Sequence, residues 1–151
     1  MGYSLEELAD RFEIEDVITR YSLNVDTGNW AEYEDVCTPD AILDFGEIDG
    51  PVGTPAECRA YLEKASGHFL KMQHLLSSFS LLECDGTTAR ARIAVLAPVV
   101  MDTGAGEPHV FFTGVWYHDE LRKTDQGWKI HRRNTEKVYF HNLPAGFQAP
   151  S

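Results

Sequence analysis

"VFFTGVWYHDELRKTDQGWKIHRR", residues 110–133, decides the fold. Two long runs rich in Val, Ile, Phe, Tyr and Trp flank "TDQG" at 124–127, which is the chemistry of a tight turn between antiparallel strands. Working outward, "DTGAGEP" at 102–108 and "DG" at 85–86 punctuate the chain in the same way. Residues 71–84, 87–101, 108–123 and 127–140 therefore read as four long strands. Their short connections make neighbours antiparallel.

The residues before Gly67 have a different period. In "SLEELADRFEIEDVITRYSLNVD", Leu5, Leu8, Phe12, Val17, Ile18, Tyr21 and Val25 recur near helical spacing, and Ser4 with Glu7 forms a capping box that starts the helix at Leu5. "TGN" breaks it. "WAEYEDVC" predicts a short second helix with Asn29 and Glu32 at its N-terminus, and "PDAILDFG" a first strand. Thr54, Pro55 and Glu57 open a third helix that runs to about Ser66. Helices first and then a meander make an α+β domain. Three N-terminal helices pack on one face of a strongly curved, mostly antiparallel sheet, a cone-shaped barrel, and a single domain spans 1–151.

Composition narrows the function. At 151 residues, with 43% hydrophobic and 11% aromatic residues, the chain can bury a sizeable core. With 24 acidic against 13 basic residues the net charge is −11, and pairs such as Arg132–Arg133 are too small to make a phosphate-binding face. Nucleic acid is a poor partner. No apolar run is long enough for a membrane helix. The opening "MGYSLEELADRFE" is acidic and amphipathic, unlike a signal peptide. Cys37, Cys58 and Cys84 are odd in number and widely spaced, which fits a reducing cytoplasm rather than a disulfide framework. None of the six histidines forms a zinc-binding pair, and no glycine-rich phosphate loop or nucleotide fingerprint is present. Neither metal nor cofactor is expected.

"HVFFTGVWYH" and "RIAVLAPVVM" are apolar at both parities, so both faces of the sheet should be covered. One face covers the helices or lines a cavity. The other would meet a second copy, giving a homo-oligomer (dimer or trimer), or would lie under the C-terminal "YFHNLPAGFQAP". Trp116 and Tyr117 read as core or interface residues.

Candidate chemistry centres on "RYSLNVDTGNW", residues 20–30, and on "KMQHLLSS", residues 71–78. Alternation puts Met72, His74, Leu76, Ser78 and Ser80 on one face of their strand. If that face looks into the cone, His74 lies near its mouth, and Asp26, at the end of the first helix, approaches it. Tyr21 is about 7.5 Å deeper along the helix axis. A carboxylate beside an imidazole makes a competent base, and a tyrosine hydroxyl in a dry pocket can donate to an oxygen that gains charge. Such a kit suits proton abstraction. Each residue also has an ordinary reading: a packed strand histidine, a turn aspartate, a core tyrosine. By strand parity Phe45, Met72, Leu76, Val95 and Phe112 are candidates for the pocket lining. Trp30 and Tyr33 are candidates for its wall.

The order helix, "YxxxxDxGNW", strand, helix, "QH", three strands and "DQGWKIHRR" resembles the SnoaL-like branch of the nuclear transport factor 2-like superfamily over about residues 5–140. It is similar to the lyases of that branch: scytalone dehydratase, bile-acid 7α-dehydratase and hexachlorocyclohexane dehydrochlorinase. The resemblance implies a catalytic dyad on Asp26 and His74 and a catalytic tyrosine on Tyr21. It also implies a cationic residue of the last strand on Lys137. It departs at "AVLAPVV", around Ala97, where those enzymes carry an acid or a second histidine; His109 and His118 lie on the next strand. The expected function is a cofactor-independent lyase acting by dehydratase-type elimination on a hydrophobic cyclic or polyketide-like substrate. An isomerase or aldol-type cyclase would use the same base. A non-catalytic ligand carrier on the same cone is the reading from another class.

Overall fold

The computed structural model describes residues 2–104 and 106–147. Helix α1 spans Leu5–Thr27, α2 Trp30–Tyr33 and α3 Pro55–Ser66. Both capping boxes form: Ser4 and Glu7 cap α1, and Thr54 and Glu57 cap α3 behind Pro55. The expected cap of α2 does not. Asn29 makes no side-chain cap bond, and after one turn the chain tightens into a 3-10 turn over Glu34–Val36.

Strands β1 (Cys37–Asp44), β2 (Val52–Gly53), β3 (Phe69–Met72), β4 (Leu75–Cys84), β5 (Thr88–Met101), β6 (His109–Thr124) and β7 (Gly127–His141) form one sheet. Its order is β2-β1-β7-β6-β5-β3, with β4 also paired to β5. Only β1 and β7 run parallel; α3, between β2 and β3, carries the chain from one end of the sheet to the other, and the β5–β6–β7 meander brings it back beside β1. Strand β2 at one end and strands β3 and β4 at the other each keep a free edge, so the sheet curves around the helices without closing. Helix α1 packs across β7 and β4, and α3 against β1 and β3.

The hydrophobic face of α1 is Ile14, Val17, Ile18, Tyr21 and Val25. Leu5 and Phe12, which share a helical period with these residues in the sequence, lie on the opposite side and are exposed. At 100° per residue they are roughly half a turn out of phase with Ile14 and Ile18. Asp10 takes the inward position of that first stretch. It accepts from the Trp128 indole at 2.9 Å and from Lys123 Nζ at 2.7 Å, tying α1 to the β6–β7 hairpin.

Three irregularities decide which side chains face inward. The expected strand 71–84 is broken between Met72 and Leu75. Pro98 of β5 lies opposite the break and accepts from Gln73 N–H at 3.2 Å. A strand residue directs its N–H and C=O to the same side, and proline has no N–H to return, so the ladder lapses there. A second shift falls between Ser77 and Ser80, where Ser78 adopts φ 50. It reverses the parity, so Phe79 and Leu81 pack on the core while Ser78 and Ser80 are exposed. The sequence had placed those two serines on the face of His74. Third, the β6–β7 register shifts between Leu121 and Glu120 and again between Val115 and Gly114. Trp128 and Ile130 point inward, and past the first shift Arg133 and Thr135 do.

Candidate active site

The last turn of α1 ends where Gly28, at φ 67, donates its N–H back to Asn24 and Val25. That left-handed conformation is one glycine adopts at little cost. The cap holds Asp26 at the C-terminal end of the helix, where the helix dipole disfavours an anion. His74 offsets this twice. Its Nδ1 lies 2.5 Å from Asp26 Oδ1, and its backbone N–H donates to Asp26 Oδ2 at 2.7 Å. The backbone bond is available because His74 sits in the break between β3 and β4, with its amide free of the ladder. The two side chains are 12% and 17% exposed.

His74 lines an apolar cavity of about 150 Å³ between the helices and the sheet. Of the residues anticipated for it, Tyr21, Phe45, Met72, Val95 and His74 line it. Four others do not. Tyr33 is buried behind Tyr21, the two hydroxyls 2.8 Å apart. Trp30 packs edge-on to Tyr33, the ring centroids 5.7 Å apart. Leu76 faces a groove between α1 and β4 that Asp26 and His74 also border. Phe112 lies on the outer face of β6, its ring 6.1 Å from that of His141. Its neighbour Phe111 lines the cavity instead. The β5–β6 hairpin pairs Met101 with His109 and Val95 with Val115, so inward residues are odd-numbered on both strands. Carrying the parity of Val95 across the turn would have found Phe111.

Lys137 is exposed, with Nζ 5.2 Å from the Phe140 ring centroid at the rim. The cation beside Tyr21 is Arg133, four residues earlier, fully buried and paired with Asp119 through Nε at 2.7 Å and Nη2 at 2.6 Å. Its guanidinium lies 4.2 Å from the Tyr21 ring centroid and 3.9 Å from that of Tyr117, in cation–π geometry. Burial opposes the charge on Arg133, and Asp119 overrides it, raising its pKa. Sequence parity from Trp128 and Ile130 would point Arg133 outward; the register shift at His131 turns it in.

The phenols stay protonated. Burial raises Tyr21 well above the ordinary phenol value, and burial likewise raises Tyr33 and Tyr117. Tyr117, which the sequence suggested was core or interface, lines the cavity; Trp116 stacks under Arg92 on the outer face at 3.8 Å. Leu143 and Phe147 also line the cavity, Phe147 lying 5.4 Å from Phe111. The C-terminal segment therefore turns to the mouth rather than over the outer face of the sheet; Gln148–Pro150 lie outside the described residues. Among the described residues no cluster of His, Cys, Asp or Glu could hold a metal, and no helix is long and apolar enough to cross a membrane.

Comparison with known proteins places this arrangement in context. Residues 6–134 match the SnoaL-like domain. An uncharacterized protein of Mycobacterium tuberculosis, Rv2910c, is 34% identical over 137 residues, covering 90% of each chain. Among solved structures, a candidate scytalone dehydratase of Novosphingobium aromaticivorans superposes with a TM-score of 0.81 at 20% identity, covering 95% of this chain and 93% of that one. The type-3 hexachlorocyclohexane dehydrochlorinase LinA of Novosphingobium barchaimii superposes with a TM-score of 0.79 at 18% identity, covering 97% and 99%. At those identities the likeness is one of fold.

Proposed function

The chain belongs to the SnoaL-like domain family, and from that premise we propose that it is a cofactor-independent lyase removing water or a similar leaving group from a hydrophobic cyclic or polyketide-like molecule. The observation that carries the reading is the Asp26–His74 pair at the wall of an apolar cavity. A carboxylate on Nδ1 selects the tautomer that leaves the Nε2 lone pair free, so His74 takes a ring proton and Asp26 stabilises the resulting imidazolium. Tyr21, protonated and backed by the Arg133 guanidinium, supplies a hydrogen bond to the oxygen that gains charge or departs. Its hydroxyl then donates to the ligand while accepting from Tyr33. Lys137, at the rim, has no step in this scheme. Isomerisation or aldol-type closure would start from the same proton abstraction.

The test is elimination from a panel of β-hydroxy cyclic ketones, followed by enone absorbance. Turnover is expected in the native protein and none in His74→Ala. An Ala variant as active as the native protein, its fold verified by circular dichroism, would overturn the assignment.

The outer face of the sheet, with Val138 52%, Tyr139 45% and Leu75 44% exposed, supports a second proposal: copies of the chain associate there as a dimer or trimer.

A further inference from the structure

The cavity's dimensions and a buried, unpartnered hydroxyl on its wall bear on what enters it. An apolar space near 150 Å³, open at its mouth, is the size that holds a single benzene ring. Three phenylalanines set that limit. Phe111 packs edge-on to Phe69 at 6.0 Å and against Phe147 at 5.4 Å, so the rings brace one another along one side of the space. A fused second ring would have to displace Phe147.

Thr135 carries that hydroxyl. It lines the cavity, is 2% exposed, and its Oγ1 has no hydrogen-bond partner. The other hydroxyl reaching this region from α1, that of Tyr21, already bonds to Tyr33 at 2.8 Å. A buried hydroxyl left unpaired is destabilising, because its lost hydration is not replaced. A valine would fill the same volume without that cost. One rotation about the Cα–Cβ bond exchanges Oγ1 with the γ-methyl, so the hydroxyl can turn to a ligand. In register Thr135 pairs with Tyr117, and it follows Arg133 by two residues, at the polar end of an otherwise apolar space.

We propose that the cavity takes a compound with a single six-membered ring bearing an oxygen substituent, a hydroxyl or a ketone. Thr135 is the positioning residue for that oxygen, and Phe147 excludes a second fused ring. This deepens the reading of the cavity as a substrate site and rests on it. The ring lies against Phe111 and Val95, and its oxygen meets Thr135.

Binding can be separated from catalysis by using probes that have nothing to eliminate. Benzene, phenol and 2-naphthol are titrated calorimetrically into the native protein, Thr135→Val and Phe147→Ala. Phenol is expected to bind about five- to tenfold more tightly than benzene, a preference that one hydrogen bond supplies. Thr135→Val should erase the preference while leaving benzene unchanged. 2-Naphthol should bind only once Phe147 is truncated. Native protein binding 2-naphthol as tightly as phenol, a phenol preference that survives in Thr135→Val, or no phenol binding at all would each overturn the proposal. His74 is intact in every titration, so these results are independent of the elimination assay. Turnover of two-ring ketones with no phenol binding would sink this inference and leave the lyase reading standing.

Discussion

Asp26 has two oxygens and both are taken by His74, one by the imidazole and one by the backbone amide. The carboxylate therefore orients the ring as well as supporting its charge. Asp26→Asn keeps the shape but loses the charge. Under the proposed mechanism it should lower turnover about 10²- to 10⁴-fold, the range of general-base catalysis. Steady-state kinetics beside an unchanged circular dichroism spectrum would check it. Arg133 differs in kind. Fully buried between two phenol rings, it depends on Asp119. Asp119→Asn leaves a buried guanidinium unpaired and should cost about 3–5 kcal/mol, read as a lower urea midpoint. Tyr21 was legible as the hydroxyl on the inner face of its helix. Arg133 was not, because its orientation follows from a register shift that no local pattern announces.

At the scale of elements, α1 is held to the sheet at its N-terminal half by a carboxylate rather than by leucines. Asp10 accepts from Trp128 and Lys123; burial works against its ionisation, but the bonds from Lys123 and Trp128 outweigh it and its pKa is lowered. A carboxylate lowered in the folded state contributes stability that is complete above its unfolded value of 3.8 and is lost as the pH falls through the folded value. Asp10→Asn should therefore narrow the stability difference between pH 6 and pH 3, measured by urea unfolding at both. The bulge at Ser78 makes a second test. A non-glycine residue at φ 50 costs about 1–2 kcal/mol. Ser78→Gly should leave stability unchanged or raise it by up to about 1 kcal/mol, whereas Ser78→Val should lower it, both followed by thermal melting. The four long strands were readable from their turns, to within two residues for β5, β6 and β7. The break at Gln73–His74 had a signal in Pro98, a residue a central strand accommodates only at an irregularity.

For the whole molecule, the helices cover the concave face of the sheet while its outer face keeps large apolar side chains half in solvent. If copies of the chain meet there, sedimentation equilibrium should give a dimer or trimer, and Val138→Glu should shift it to the 17.0 kDa monomer. A native protein that sediments as a monomer at high micromolar concentration would remove that proposal. The three helices, the two capping boxes and the hairpin turns were settled by the sequence alone; Asp26 and His74 were candidates in it, and the fold decided that they meet. Periodicity, cap chemistry and turn chemistry are local and act within a few residues. The tertiary structure alone decided which side chains face inward past a bulge: Phe79 rather than Ser78 on β4, and Arg133 and Thr135 rather than Arg132 and Asn134 on β7. Side-chain direction alternates with period two, so a single inserted residue reverses every position after it. Whether that residue is inserted depends on how distant strands pair.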